Sequence, residues 1–139
     1  MATGASVVVR RQDCSVICAR PDFCSVRGAI HKKLWSFSSA MLEFAPQGAG
    51  VYALWSEGEL IYYGRAEGGS ETIRSRLREH LRAGRNCVRN ATHYSWELAR
   101  RPAARESDLL SEFWTARGRF PRCNEAETIE AAARSAAAT

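Results

Sequence analysis

The chain has 139 residues, of which 45% are apolar; 20 are Lys or Arg and 15 are Asp or Glu, for a formal net charge of +5. This length favours a single domain with a modest core. No apolar run approaches the roughly 18 residues that cross a membrane. The run at residues 7–9 is too short for a secretion signal, and Arg10 and Arg11 follow it. We therefore expect a soluble, cytoplasmic protein without a membrane partner.

Residues 1–30 show no sustained hydrophobic period, which predicts an irregular leader. The next segment, residues 31–44, carries six large apolar side chains and predicts a short helix that packs before the first strand. We expect the main domain to span residues 31–124. The Ala-rich residues 125–139 predict a last helix or tail, which has little to bury it and therefore frays.

The cysteines are odd in number, and in a chain without a secretion signal this indicates free thiols. There are five of them: Cys14, Cys18, Cys24, Cys87 and Cys123. The first three, together with His31, offer three thiolates and one imidazole for a zinc ion. However, no C-x-x-C pair is present, and the spacings match no common zinc scaffold. Thiols without a metal are therefore the preferred interpretation.

Two short apolar runs, at residues 50–55 and 59–64, predict a pair of strands joined by a tight turn that contains Gly58. Antiparallel pairing sets Tyr52 and Tyr62 on neighbouring strands, with hydroxyls able to meet at one end of a sheet. Phenols that converge in this way can take part in proton chemistry. A purely structural hairpin more often carries Val or Ile at such positions.

A helix is predicted over residues 71–83, with Ser70 or Thr72 as its N-cap and Gly84 at its exit. Its apolar face has residues at four-residue spacing: Ile73, Leu77 and Leu81. Arg76 and His80 are also four residues apart, so they lie on one side of the same helix. The helix therefore presents a cation and an imidazole together.

The remaining elements complete a mixed fold. Residues 92–98 alternate enough to predict a third strand, and residues 103–117, after Pro102, predict a helix that ends at Gly118. The apolar stripe of this helix comprises Leu109, Leu110, Phe113 and Trp114. From residue 50 the order is strand, strand, helix, strand, helix, helix. This order predicts an α+β fold with a small three-stranded antiparallel sheet flanked by helices.

The ordered set of motifs between residues 48 and 124 resembles the GIY-YIG nuclease family. The set consists of Gly50-Val51-Tyr52, Tyr62-Tyr63-Gly64, Arg76-x-x-x-His80, a helix bearing Glu112, and Pro121-x-x-Asn124. The tripeptides alone would be a weak signal, whereas the ordered set at plausible spacing is a strong one. Residues 31–124 would then form a GIY-YIG-like nuclease domain with a preceding helix.

The resemblance implies a role for each matched residue. Glu112 matches the single carboxylate that holds a divalent metal, Mg²⁺ or Mn²⁺, and it is preferred over Glu106 because its interval to Asn124 equals the family spacing. Arg76 matches the helix arginine that grips the scissile phosphate. His80 would polarise the water or orient a tyrosine.

The two tyrosines receive different roles under the same resemblance. Tyr52 would draw a proton from the attacking water, although a phenol, with a pKa near ~10, is a poor base unless its neighbours help. Tyr62 would position the phosphate. Arg65 follows Gly64, which would let the backbone approach, and would touch the phosphate. Two further matched residues, Pro121 and Asn124, are expected to be structural.

Two departures from the family pattern stand out. Val51 replaces Ile in the first tripeptide, which changes little. Tyr63 replaces Ile in the second and directs a bulkier aromatic to the opposite face of the strand, which is tolerable if that face is partly open. About three extra residues before the helix form a loop with Gly68 and Gly69 that would shape the substrate groove.

Basic residues are concentrated in one stretch. Residues 74–105 contain nine Arg and two acidic residues, a local surplus that attracts polyanions. Arg74, Arg78 and Arg82 are expected to form a ridge that contacts backbone phosphates. The predicted partner is DNA, and RNA is not excluded. An Arg-rich surface that is merely solvated is the alternative.

The leading hypothesis from the sequence is a metal-dependent endonuclease that hydrolyses phosphodiester bonds in DNA with low intrinsic sequence specificity. A second hypothesis is a nucleic-acid-binding module of the same fold that cleaves poorly or not at all. A third is a thiol- or zinc-dependent regulator that works through Cys14, Cys18 and Cys24. The preferred nucleic-acid structure, the biological pathway and the oligomeric state stay open at this stage.

Overall fold

The computed structural model describes residues 29–84 and 87–138. The predicted leader, apart from its last two residues, lies outside this part of the chain, as do Cys14, Cys18 and Cys24. Within the described ranges, none of the helices combines the length and the apolar character needed to cross a membrane.

A four-stranded antiparallel sheet forms the centre of the fold. Its strands are β1 (Trp35–Ser36), β2 (Gly50–Ser56), β3 (Glu59–Ala66) and β4 (His93–Leu98), arranged in the order β1-β4-β2-β3. The prediction of an antiparallel sheet flanked by helices is therefore confirmed in outline, but the predicted count of three strands was wrong. The additional strand, β1, is only two residues long and pairs with the start of β4.

The segment at residues 31–44 does not form the predicted helix. It contains β1 between two 3-10 turns, Ala29–His31 and Met41–Phe44. Trp35 and Phe37 alternate with polar residues, which is the period of a strand rather than a helix. Pairing with β4 also covers an edge that would otherwise expose unpaired backbone groups, so the sheet outweighs local helix propensity.

The β2–β3 hairpin has a two-residue loop, because Ser56 pairs with Glu59. Glu57 and Gly58 both have positive φ, at 50° and 86°, as a type I′ turn requires. This turn matches the right-handed twist of the strands, and an irregularity between Leu54 and Trp55 then shifts the register by one residue. In that register Tyr52 lies opposite Gly64.

The two faces of the hairpin carry different residues. One face, here called the tyrosine face, carries Tyr52, Leu54 and Tyr62, which join one buried cluster. The opposite face carries Val51 and Tyr63 among others, which join a second buried cluster. Because side chains alternate along a strand, consecutive residues 62 and 63 point to opposite sides of the sheet.

Three helices cover these faces: α1 (Ile73–Ala83), α2 (Pro102–Arg117) and α3 (Arg122–Ala138). Helix α1 starts with a capping box in which the Thr72 side chain and Ser75 exchange hydrogen bonds. Ile73 and Leu77 of α1, together with Cys123 of α3, pack on the tyrosine face. Helix α2 packs on the opposite face.

A disulfide joins Cys87 to Cys123, with the two Cα atoms 5.5 Å apart. The expectation of free thiols was wrong for these two residues, which are 36 positions apart in the chain. The sheet brings the connection after α1 against the start of α3, and spacing along the sequence does not reveal that contact. The bridge links both flanks of the tyrosine face.

Candidate active site

Three aromatic rings meet on the tyrosine face. The ring centroids of Tyr52 and Tyr62 are 6.3 Å apart, and His80 of α1 lies 5.6 Å from Tyr52 and 5.4 Å from Tyr62. The hydroxyl of Tyr52 and Nε2 of His80 form a hydrogen bond of 2.8 Å. The hairpin register brings the two phenols together, and the four-residue spacing on α1 adds the imidazole.

Gly64 makes room for this cluster. A Cβ atom at position 64 would lie 2.4 Å from both Cζ and the hydroxyl oxygen of Tyr52. Real Cβ contacts are essentially never so short, so only glycine allows the Tyr52 ring to cross strand β3 at this point. The glycine therefore serves the approach of a ring, whereas the sequence-based interpretation assigned it to the backbone near Arg65.

All three rings are neutral at neutral pH. Burial, followed by the positive charge of Arg76, lowers the pKa of His80 to about 4. Burial raises the pKa of Tyr52 well above its ordinary value, although the charge and hydrogen bonding of Arg76 oppose the rise. Burial also raises the pKa of Tyr62, and the nearby Tyr52 and Glu127 add to that rise.

Arg76 is positioned beside Tyr52 by helix α1. Its guanidinium forms ion pairs with Glu79 at 3.2 Å and with Glu71 at 3.9 Å. Its Nε atom is buried and makes no hydrogen bond to any described residue. The side chain thus retains donor capacity at the cluster while two carboxylates hold it in place.

Arg65 and Glu106 form a close pair at the open end of the hairpin. Nη1 of Arg65 donates to Oε1 of Glu106 at 2.6 Å, and its Nε donates to Glu67 at 2.5 Å. Glu106 belongs to α2, and its charge raises the pKa of both Tyr52 and Tyr62. It is therefore an α2 carboxylate that acts electrostatically on the phenols.

A second carboxylate comes from helix α3. The hydroxyl of Tyr62 donates to Oε2 of Glu127 at 3.0 Å. The charge of Glu127 also contributes to the raised pKa of Tyr52. Glu127 is exposed, whereas Tyr62 retains only 4% of its accessible surface. The hydrogen bond thus connects a buried phenol to a group in contact with solvent.

Glu112 belongs to α2, the helix that packs on the opposite face of the hairpin. Its charge acts on Tyr63, which lies on that face, and its own pKa is raised by burial and partly held down by Arg105. Glu106 and Glu112 are six residues apart, which is about 9 Å along a helix and about 240° around it. The charge of Glu106 contributes a minor part of the raised pKa of Tyr52 and Tyr62.

Tyr63 is fully enclosed rather than on a partly open face. It is 1% exposed, its hydroxyl lies 2.9 Å from Nε2 of His31, and its ring meets Phe113 edge-on. Beside it, Arg105 makes a two-pronged ion pair with Glu97. The bulky aromatic at this position is accommodated by helix α2 and by the turn at Ala29–His31.

Asn124 ties the start of α3 to strand β3. Its Oδ1 accepts from the backbone N–H of Tyr63, and its Nδ2 donates to the carbonyl of Tyr63, both at 2.9 Å. Pro121 is buried, and its carbonyl accepts from the N–H groups of Asn124 and Glu125. These contacts hold the sheet edge beside Tyr62 and aim the first turns of α3 at it.

The expected arginine ridge is largely engaged with the protein itself. Arg74 donates to the carbonyls of Ala45 and Glu43, and Arg78 pairs with the carboxylate of Glu43 at 2.5 Å. Arg82 is exposed near the C-terminal end of α1. Arg74 therefore stabilises the turn before β2, and its side chain is less available to a partner than the sequence indicates.

One carboxylate of this site, Glu127, was missed from the sequence, and another, Glu106, was considered but ranked below Glu112. Glu127 follows Asn124 by three residues, so on a helix it must share the side that faces β3, and this spacing was a usable signal. Glu106 had no such signal, because its distance from Asn124 departs from the family interval. Only the packing of α2 identifies it.

The carboxylates of this site suit a hydrated cation that prefers oxygen ligands. They do not suit a metal ion whose ligands all come from protein side chains. Across residues 29–84 and 87–138, no group of three or more His, Cys, Asp or Glu side chains is arranged to hold a metal ion. Mg²⁺ commonly keeps several waters and binds one or two carboxylates plus a substrate phosphate. Glu106, largely buried beside Arg65, offers such a carboxylate.

The fold and site together define a mixed α/β domain with an antiparallel sheet and a cluster of tyrosine, histidine, arginine and carboxylate groups. The chain is similar to the crystal structure of the GIY-YIG N-terminal endonuclease domain of UvrC from Thermotoga maritima, a point mutant bound to its catalytic divalent cation. The identity is 24%, the TM-score is 0.43, and the similarity covers 52% of this chain and 83% of that one. No family model and no curated protein matches the chain.

Proposed function

We propose that this protein is an endonuclease that hydrolyses phosphodiester bonds in DNA with the help of Mg²⁺ or Mn²⁺. The observation that carries the proposal is the meeting of Tyr52, Tyr62 and His80 on one face of the sheet, with Arg76 beside them. Such a group combines proton-transfer side chains with a cation that suits a phosphate. The motif resemblance points to the same chemistry independently of the packing.

The charge of each side chain determines the role that we assign to it. Arg76 carries the fixed positive charge nearest the phenols and would bind the scissile phosphate through its guanidinium. Tyr52 and Tyr62, both neutral, would orient the attacking water through their hydroxyls. Neutral His80 would hold Tyr52 in orientation through their 2.8 Å hydrogen bond. Arg65, at the open end of the hairpin, would contact the neighbouring phosphate.

Glu106 is the carboxylate we assign to the divalent cation. When bound, such a cation offsets the negative charge that develops on the phosphoryl oxygens and makes water more acidic. Arg65 keeps the Glu106 carboxylate oriented through a 2.6 Å hydrogen bond. Glu112 is the alternative ligand that the sequence pattern favours, and the two assignments predict different mutants.

The proposal is tested by incubating supercoiled plasmid with the protein in Mg²⁺, in Mn²⁺ and in EDTA. We expect nicking that requires the metal. Glu106→Gln should reduce the nicking rate by at least about 100-fold, since it removes the metal carboxylate. Glu112→Gln is the matched control on the same helix, with the same change of charge, and should keep most of the activity.

The outcomes separate the candidate functions. If Glu112→Gln abolishes nicking and Glu106→Gln does not, the assignment of the metal to Glu106 is overturned while the nuclease proposal stands. If the wild type binds plasmid but never nicks it, the nuclease proposal is overturned in favour of a binding module of the same fold.

A further inference from the structure

We propose that Glu127 is the final proton acceptor of this site and that it acts through Tyr62. The inference rests on the proposed nuclease function and deepens it. It starts from the hydrogen bond in which the Tyr62 hydroxyl donates to Oε2 of Glu127 at 3.0 Å. Neither the motif set nor the similarity described above assigns a role to a carboxylate on helix α3.

The site needs such an acceptor because neither phenol can serve alone. A water that attacks a phosphate must lose a proton, and a general base has to take it. Tyr52 and Tyr62 are both buried, and burial disfavours the phenolate form of each. A buried neutral phenol can still accept a proton if it passes its own proton onward in the same event.

Two groups are available to accept the proton that a phenol passes onward, and their surroundings decide between them. Tyr52 could pass its proton to His80, but that would create an imidazolium that is largely buried beside the guanidinium of Arg76. The same burial and charge already lower the pKa of His80 to about 4. Tyr62 passes its proton to Glu127, which is exposed and loses a charge on accepting it. The second route is favoured because Glu127 already accepts the hydrogen bond of the Tyr62 hydroxyl and, at its exposed position, can release the proton to solvent.

The step balances as follows. The water O–H bond breaks, and its proton bonds to the hydroxyl oxygen of Tyr62 as the original Tyr62 proton transfers to Oε2 of Glu127. The water oxygen forms a bond to phosphorus, and the bond from phosphorus to the leaving oxygen breaks with its electron pair. The leaving oxygen takes a proton from solvent, and Glu127 releases one to solvent, so the site returns to its starting state.

The position of Glu127 is set by the start of α3. Asn124, one turn earlier, is bonded to both backbone groups of Tyr63, and Cys123 is bonded to Cys87. These links connect α3 to the strand that carries Tyr62. The links through Asn124 and Cys123 thereby hold the Tyr62 hydroxyl and the Glu127 carboxylate close together. Their alignment does not depend on the single hydrogen bond between them.

The test compares Glu127→Gln with Glu125→Gln, a matched change on the same helix, in the metal-dependent plasmid nicking assay. We expect Glu127→Gln to lower kcat by about 100-fold, without raising KM. Glu127→Asp should retain activity within about 10-fold of the wild type, because it keeps a carboxylate. Glu125→Gln should match the wild type.

Coupling to Tyr62 provides a further readout. If both residues act in one relay, the double variant Tyr62→Phe with Glu127→Gln should be no slower than Tyr62→Phe alone. Equal kcat values for Glu127→Gln and Glu125→Gln, with cleavage by the wild type intact, would overturn the role of Glu127 and leave the nuclease function standing. A wild type that never cleaves would overturn both.

Discussion

The ring of Tyr52 lies directly against the backbone of Gly64, so closely that a Cβ atom there would come within 2.4 Å of its hydroxyl oxygen. The two residues face each other in the β2–β3 register. This contact explains why the second tripeptide ends in glycine: the phenol must cross the edge strand to reach His80. A small residue on one strand thus determines where the hydroxyl of the other strand points.

Gly64→Ala should therefore displace Tyr52. We expect a loss of about 1–3 kcal/mol in the free energy of unfolding, typical of an overpacked core, together with loss of metal-dependent nicking. Gly48→Ala is the control, since its Cβ would meet only a side-chain carbon of Leu98 at 3.3 Å. Urea denaturation and the plasmid assay measure both effects. Equal stability and activity of the two variants would contradict the proposed contact.

His80 should make the protein sensitive to acid. Its pKa is lowered to about 4 in the folded state from an ordinary value of 6.5, so the unfolded chain takes up the proton first as the pH falls. The associated stability is present above pH 6.5 and is lost progressively as the pH falls towards 4. The expected loss is on the order of 3 kcal/mol.

The measurement is urea denaturation of the wild type and of His80→Gln at several pH values from 7.5 to about 4. Gln can still accept a hydrogen bond from Tyr52 but does not titrate. The free energy of unfolding of the wild type should fall more steeply below pH 6.5 than that of the variant. Parallel curves for the two proteins would show that His80 is not a buried neutral imidazole.

Asn124→Ala should weaken the edge of the sheet. The variant leaves both the N–H and the carbonyl of Tyr63 without their side-chain partner. We expect a loss of about 1–3 kcal/mol in the free energy of unfolding, with faster hydrogen exchange at the amide of Tyr63. Asn90→Ala, at an exposed position, is the control. If both substitutions cost the same, the side chain of Asn124 does not secure strand β3.

Reduction of the Cys87–Cys123 disulfide should destabilise the fold. The bridge closes a loop of 36 positions, for which chain entropy predicts a contribution of roughly 4 kcal/mol. We expect a reducing agent to lower the thermal midpoint of the wild type. The double variant Cys87→Ala with Cys123→Ala should unfold at the lower temperature with or without the reductant. A wild type that is indifferent to reduction would contradict the pairing.

Local sequence was sufficient for the hairpin and for the helix that carries Arg76 and His80. The turn at Glu57-Gly58 can adopt positive φ at both central positions, and beyond the register shift at Leu54 strand alternation decides which residues share a face. The four-residue spacing of α1 likewise keeps its two functional residues together. These relationships span a few residues, and backbone geometry leaves them little freedom.

The identity of the nearby carboxylates was decided by tertiary packing. Interval matching selected Glu112, whereas the packing of α2 pairs Glu106 with Arg65 and places the charge of Glu112 where it acts on Tyr63. The same holds for β1, whose strand conformation depends on an unpaired edge of β4. The disulfide between Cys87 and Cys123 also joins two segments that come close to each other only when the chain folds.

The amino-acid sequence alone thus determined which side chains share one face of a strand or helix. The regular repeat of each backbone conformation relates the positions of these side chains. How a helix is rotated and shifted on the sheet depends on the shapes of both surfaces. Six positions along α2 separate Glu106, which pairs with Arg65, from Glu112, whose charge acts on Tyr63. That choice follows from the packing of Leu109 and Phe113 beneath the hairpin, a contact between distant parts of the chain.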